Sequence, residues 1–218
     1  MASISIRLIR NALGVLFFAA TALAQAADSH PNPRIAVGDS VAGRAWSDDN
    51  VCKECHNPDG NSTVPEYPRL GGQFSPYLLK QLQDFRDGRR KNVIMQALTQ
   101  DLGDHDLANI SAHFAAQPLM RGNAPVSSLL GKRLFEAGDA ARQIPACAGC
   151  HGADGKGLLA GKLAYPAIGG QHRYYLRGQL QDWKAGIRSN SPDGIMNSIA
   201  RALGDADIEA LADYLSGL

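Results

Sequence analysis

Charge of one sign is what this sequence lacks. Its 218 residues hold 22 Lys and Arg against 21 Asp and Glu, a formal charge of +1, and no basic run is longer than Arg89-Arg90-Lys91. A nucleic-acid-binding chain concentrates its basic residues in a patch or stripe, so no nucleic acid is expected as a partner, and one strongly basic docking face is excluded with it. Long apolar runs are missing too, apart from Ala12 to Ala24 near the start. Thirteen residues fall short of the ~20 that a membrane-spanning helix needs. The run follows Arg7 and Arg10 and leads into Ala24-Gln25-Ala26, which offers small residues at −3 and −1. That is the layout of a secretory signal. Residues 1–26 are expected to be the signal peptide, cleaved near Ala26, leaving 192 residues with 20 basic and 21 acidic groups and no integral membrane segment. No segment alternates apolar and polar residues as a half-buried strand does, so no sheet is expected. The last shortage is cysteine, of which there are four.

All four fall in two copies of one motif, Cys52-Lys53-Glu54-Cys55-His56 and Cys147-Ala148-Gly149-Cys150-His151. C-x-x-C-H is the attachment signature of c-type haem. The two thiols add to the haem vinyl groups as thioethers, and the adjacent imidazole becomes an axial ligand of the iron. A thioredoxin-like C-x-x-C needs a βαβ context, which neither flank offers. A Cys₄ zinc site would join pairs 95 residues apart, far beyond ribbon spacings. Disulfides would suit an exported chain but give no reason for a histidine after each pair. Two covalently bound haem c groups are therefore expected, with Cys52, Cys55, Cys147 and Cys150 as their anchors and His56 and His151 as iron ligands. Covalent attachment requires export to a compartment with its own maturation machinery, which agrees with the signal and points to the periplasm.

Everything after the signal is written twice. His56 is followed by Asp59-Gly60 and Tyr67-Pro68-Arg69-Leu70-Gly71-Gly72-Gln73; His151 is followed by Asp154-Gly155 and Tyr165-Pro166-Ala167-Ile168-Gly169-Gly170-Gln171. Tyr77-Leu78, Gln81-Leu82, Phe85, Gly88 and Arg90 match Tyr175-Leu176, Gln179-Leu180, Trp183, Gly186 and Arg188. Pro118, Gly122 and Pro125 break helical pattern between the copies, so the domains are placed at 27–120 and 121–218. Each copy reads as short helices joined by loops. Ser75-Pro76 reads as an N-cap with proline at the first helical position, Leu78, Leu82 and Phe85 recur at helical spacing, and Gly88 can stop the helix. The last helices open at Gly103-Asp104 and Gly204-Asp205, where acidic residues favour the positive end of the dipole. Porphyrin is part of each core, because a protein-only core of this size would be thin.

The second axial ligand decides what each iron can do: an open position admits small molecules, whereas methionine closes it and raises the potential. Met95 and Met196 hold matching places in the repeat, each seven residues before Leu102 or Leu203. His56 to Met95 spans 39 residues and His151 to Met196 spans 45. The six extra residues divide into two insertions of three, one before Pro166 and one after Arg188, both outside the matched blocks. Most methionines simply fill core, but a matched pair in a dihaem chain is read as ligation. Met120 has no counterpart. Among the histidines, His30 and His105 have no histidine partner in the repeat, His113 lies opposite Tyr214 and His172 opposite Phe74; all four are read as surface or satisfied core residues, with a bis-histidine haem through His113 or His172 as the alternative.

Taken together the chain resembles the dihaem cytochrome c4 family. The likeness is carried by C-x-x-C-H followed by Asp-Gly, the Y-P-x-[LI]-G-G-Q block, the Tyr-Leu-x-x-Gln-Leu helix, the methionine and the Leu-Gly-Asp helix opening. Asn57 departs from Gly152 of the second copy, and Gly103 and Gly204 stand where the family often has a serine cap. The resemblance implies an all-α fold of two tandem class I cytochrome c domains, each a few helices wrapped around a covalently bound haem. It implies that the carbonyls of Pro68 and Pro166 accept from Nδ1–H of His56 and His151, and that the haems lie close across the domain interface with propionate edges nearest. Arg90 and Arg188 then stand either as propionate partners or as ordinary solvated arginines. The function it implies is electron transport between respiratory-chain components, from a donor complex towards a terminal oxidase, with no enzymatic reaction and with peripheral membrane association left open. An open-iron peroxidase is disfavoured by the duplicated methionine. The remaining alternative is a dihaem electron-accepting subunit of a dehydrogenase such as a flavin-dependent sulfide dehydrogenase.

Overall fold

Each half of the chain begins with a helix that crosses its last helix at very close range, and one glycine makes each crossing possible. In the first half α1 (Ser40–Asp49) packs on α5 (Asp104–Ala115), and a Cβ on Gly43 would fall 1.8 Å from the carbonyl oxygen of Asn109. In the second half α6 (Leu129–Ala137) packs on α10 (Asp205–Ser216), and a Cβ on Gly131 would fall 2.0 Å from the carbonyl of Ala210. No other residue lets two backbones meet this closely. The computed structural model describes residues 34–122, 125, 127–161 and 163–218, which lie within one compact unit. The signal segment with its cleavage point, and His30, lie outside the described residues.

The starting helices are capped by side chains. Asp39 Oδ1 accepts from the backbone N–H of Val41 at 2.8 Å and of Ala42 at 3.2 Å, and Ser128 Oγ accepts from Gly131 N–H at 3.0 Å. Each such cap is worth about 1 kcal/mol. The closing helices are capped in reverse: Asp106 Oδ2 accepts from Gly103 N–H at 3.1 Å and Asp207 Oδ2 from Gly204 N–H at 2.8 Å, as expected for acidic residues in a first turn.

Between these pairs run the motif helices α2 (Cys52–His56) and α7 (Ala148–His151), the central helices α3 (Ser75–Arg86) and α8 (Arg173–Ala185), and the methionine helices α4 (Val93–Thr99) and α9 (Ile195–Ala202). Ser75 is not the cap of α3. Phe74 holds that position, Ser75 is already helical, and its buried hydroxyl accepts from Ala36 N–H at 2.9 Å and Val37 N–H at 3.2 Å. The incoming segment outcompetes the helix's own N–H groups for that oxygen. Gly88 does end α3, with φ +72° and its N–H on Phe85 O.

A second expectation also fails. The second half contains a small antiparallel sheet, β1 (Leu158–Ala160) against β2 (Leu163–Tyr165), with Leu159 opposite Ala164. Its residues are mostly exposed on both faces, so no alternation marks it. The hairpin falls where the second copy is three residues longer before Pro166. The other insertion, after Arg188, appears as a 3₁₀ turn at Pro192–Gly194. The cores are unequal: Leu134, Phe135, Ile144, Leu176, Leu203, Ile208, Leu211, Ala212, Tyr214 and Leu215 form one cluster in the second half, whereas the first half clusters Leu78, Ile110 and Phe114 and also buries Phe74, Phe85, Leu107 and Met120.

Candidate haem sites

Both C-x-x-C-H motifs form a single helical turn, which brings the two thiols and the histidine of each copy to one wall of one cavity. That cavity, about 820 Å³, is lined by Cys52, Cys55, His56 and Met95 of the first half and by Cys147, Cys150, His151 and Met196 of the second. All eight residues singled out in the sequence thus face one space. Leu82, Phe85 and Leu98, then Leu180, Trp183 and Ile199, supply apolar walls.

The histidines are buried, 7 % and 8 % exposed. His56 Nδ1 lies 2.9 Å from Pro68 O, and His151 Nδ1 lies 2.9 Å from Pro166 O. A carbonyl only accepts, so Nδ1 carries the proton and Nε2 keeps its lone pair for a metal. Burial pulls both imidazoles below the ordinary histidine range, against the opposing pull of the carbonyls. Both are therefore neutral at pH 7, the form that binds iron. Burial also raises the Cys52 thiol and pushes Cys147 up to about 11. A redox-active C-x-x-C pair needs the opposite, a lowered thiol. The chain leaves each histidine at a positive φ with an extended ψ, +62° and 158° at Asn57 and +80° and 150° at Gly152, a backbone that glycine takes freely and asparagine only at a cost.

Both methionine helices are held at their start by a polar side chain. Asn92 Oδ1 accepts from Met95 N–H at 2.9 Å, and Ser191 Oγ accepts from Met196 N–H at 3.2 Å. The competing side chains point elsewhere. His113 Nε2 lies 3.3 Å from Pro58 O, His172 Nε2 2.8 Å from Ser62 O and His105 Nδ1 3.1 Å from Asn109, and none of the three lines the cavity. Met120 is buried outside it, with Sδ 3.6 Å from Gln171 Nε2. Among the described residues no three His, Cys, Asp or Glu side chains group as a metal cluster.

Arg90 and Arg188 are not solvated: they are 9 % and 8 % exposed, each over an aromatic ring, 4.6 Å from the centroid of Phe85 and 4.3 Å from that of Trp183. They also reach across the halves. Arg90 donates to Gln81 at 2.9 Å, Tyr175 Oη at 2.7 Å and Gln179 at 2.8 Å; Arg188 donates to Gln179 at 2.5 Å, Gln81 at 3.0 Å and Tyr77 Oη at 3.3 Å. Burial and the facing charge of Arg90 lower the Arg188 pKa. Burial alone would raise Tyr77, but the two guanidiniums more than offset it. Asp84 acts on Arg90, and Asp182 feels both guanidiniums, at a distance, but the hydrogen bonds of the two guanidiniums go to amides and phenols, and two buried cations are costly without a paired anion. Haem propionates are such anions, so the arginines, the apolar walls, the thiols and the neutral imidazoles all fit two c-type haems.

Comparison with known proteins agrees. The family model described as "Cytochrome c" matches residues 40–116 and again 128–218. Cytochrome c4 of Pseudomonas aeruginosa is 44% identical over 185 residues, covering 84% of this chain and 90% of that protein. The crystal structure of reduced recombinant cytochrome c4 from Pseudomonas stutzeri aligns with a TM-score of 0.77 at 38% identity, over 83% of this chain and 99% of that one. A protein of Stutzerimonas stutzeri described as a thiosulfate dehydrogenase electron acceptor is 36% identical over 173 residues, 77% of this chain and 79% of that protein.

Proposed function

Because this chain belongs to the dihaem cytochrome c4 family, with two covalently bound haem c groups, we propose that it carries electrons in the periplasm between a respiratory donor complex and a terminal oxidase. The observation that carries this reading is the placement of two complete His/Met sets and two thiol pairs on one cavity. When bound, each haem supplies a one-electron iron couple.

The protein's own residues do the rest. Cys52 with Cys55, and Cys147 with Cys150, are proposed to tether the groups as thioethers. His56 and His151 present Nε2 with the tautomer fixed by Pro68 and Pro166. Met95 and Met196 would supply the second ligand to each iron, which would raise its potential and leave no place for a substrate; the chain is accordingly read as a carrier and not an enzyme. Arg90 and Arg188 hold positive charge between the halves. The proposed domains are 27–120 and 121–218, after a signal peptide over 1–26. No helix among the described residues is long and apolar enough to cross a membrane.

The test is the optical spectrum of the mature protein, oxidised and reduced, including the weak near-infrared sulfur-to-iron band. A band of the strength of two methionine ligands, with no response to carbon monoxide, is expected. Carbon monoxide binding at either haem would refute ligation by Met95 or Met196 and revive an enzymatic role.

A second reading is favoured by one observation, the likeness to the thiosulfate dehydrogenase electron acceptor. In it the chain takes electrons from a dehydrogenase as a dedicated partner. Stable co-purification with a dehydrogenase would select it over a free shuttle.

A further inference from the structure

The repeated Y-P-x-[LI]-G-G-Q block ends on a glutamine that neither tethering nor ligation uses. Gln73 and Gln171 are both 5 % exposed, and each side chain pairs with backbone of the other half. Gln171 Oε1 accepts from Arg69 N–H at 2.9 Å, and its Nε2 donates to Arg69 O at 2.9 Å. Gln73 Oε1 accepts from Ala167 N–H at 2.9 Å, and its Nε2 donates to Ala167 O at 2.8 Å. Each amide mimics one rung of a strand ladder.

The rungs fall on the residues that follow Pro68 and Pro166. The peptide group whose N–H is held by the far glutamine is therefore the same peptide group whose C=O accepts from the near histidine. Two relays result. One runs from Gln171 through the Pro68–Arg69 peptide to His56, the other from Gln73 through the Pro166–Ala167 peptide to His151. Hydrogen bonds in a chain polarise one another: an acceptor on the N–H makes the C=O of that peptide a stronger acceptor. A stronger acceptor on Nδ1–H raises the basicity of the ligating imidazole, which favours ferric iron and lowers the potential.

We propose that Gln73 and Gln171 are positioning residues that act across the interface, each setting the orientation and electron-donating strength of the axial histidine in the opposite half. The potential of each haem then depends on how the other half is docked. This rests on His56 and His151 being the axial ligands.

The test uses the full-length dihaem protein with Gln171→Met or Gln73→Met, and resolves the two potentials by following haem methyl resonances through a redox titration. Gln171→Met should raise the potential of the haem on His56 alone, and Gln73→Met that of the haem on His151 alone. Each shift should correspond to about a two- to tenfold change in that haem's reduction equilibrium, the range of one hydrogen bond. Gln171→Glu keeps an acceptor and should return the His56 haem towards, or below, its unmodified potential. A shift in the substituted half's own haem, an equal shift in both, or none, would overturn the proposal, because a residue that only glues the interface predicts no crossed pattern. Should a methionine variant fail to load both haems, the unmodified protein decides. The Arg69 and Ala167 amide protons must resist exchange in the holoprotein, and free exchange there would end the relay. The axial resonances of the same sample report the premise separately: if they are not those of histidine and methionine, it is the ligand assignment that falls.

Discussion

The two halves share their proposed ligating residues and differ in what surrounds them, and the differences separate what is duplicated from what each half is free to vary. The crossing glycines, the histidine carbonyls, the buried arginines and the interface glutamines are duplicated. The packing is not. Among the described residues fourteen apolar side chains are buried in the second half against nine in the first, so the first half leans more on porphyrin for its core. Arg69 occupies the place of Ala167, and its buried guanidinium donates to the carbonyls of Arg121 and Gly170, both at 2.6 Å. The second half answers with its own unmatched contacts, His172 Nε2 2.8 Å from Ser62 O and Asn190 Nδ2 donating to Gln81 and Asp84.

The largest effect that would break this comparison is loss of one haem at a time. Cys52→Ala with Cys55→Ala should unfold the first half, with loss of its helical circular dichroism. Cys147→Ala with Cys150→Ala should leave the second half with residual helix, because its protein core is larger. Equal losses in the two variants would show that the clusters do not set the dependence.

Next are the crossing glycines, where the halves should behave alike. Gly43→Ala and Gly131→Ala each put a Cβ about 2 Å from a backbone carbonyl, and no rotamer can relieve a clash with backbone. Each should cost about 3 kcal/mol through forced helix separation, read as a lower melting temperature for the affected half. A clear difference between the two would mean that one crossing is looser than its geometry indicates.

How much of this was legible in the sequence follows the range of each signal. The haem motifs and the helix openings at Asp104 and Asp205 depend on neighbours a few residues away, and they read directly, whereas the pairing of Met95 with Met196 shows only when the two copies are laid against each other. The hairpin at Leu158–Tyr165 did not, since exposed strands carry no periodicity. Ser75 was misread as a cap because its true partners, Ala36 and Val37, lie far back in the chain. The roles of Gln73 and Gln171 could be suspected only from their repetition, because the peptides they hold are 94 and 102 residues away. Arg90 and Arg188 likewise show their burial only once the halves meet.

A third test uses one matched position with opposite electrostatics. Asp84 and Asp182 correspond in the repeat. Burial would raise the Asp84 carboxyl, but hydrogen bonds from Lys80, Arg89 and Asn190 overcome it and hold it below the usual range. Burial raises Asp182, which Arg188 and Arg90 only partly offset. A lowered carboxyl contributes stability that is present above the unfolded pKa of about 4 and is lost as pH falls through the folded value. A raised carboxyl does the reverse, and stability falls as pH rises through its folded value. Asp84→Asn should therefore cost about 2 kcal/mol at pH 7 and progressively less below pH ~4. Asp182→Asn should be neutral or slightly stabilising at pH 7. Urea melts of both variants across pH would expose any departure, and equal losses at pH 7 would contradict the assigned directions.

The smallest effect concerns the residue after each histidine. Asn57 has φ +62° and ψ 158°, and Gly152 has φ +80° and ψ 150°, a region that is nearly glycine-only and costs other residues about 1–3 kcal/mol. Asn57 offsets part of this with its Nδ2–H on Asn61 O at 2.9 Å, worth about 1 kcal/mol. Asn57→Gly relieves the strain, loses that bond and enlarges the freedom of the unfolded chain, so the net gain should be below about 1 kcal/mol. Gly152→Asn imposes the strain and brings its Cβ to 3.2 Å from the Gly157 carbonyl oxygen, so it should cost more than the first exchange gains. A melting-temperature rise for Asn57→Gly beside a fall for Gly152→Asn is the expected pair. Opposite signs would mean that the hydrogen bond to Asn61 outweighs the backbone, and that asparagine at this turn is a stabilising choice of the first half.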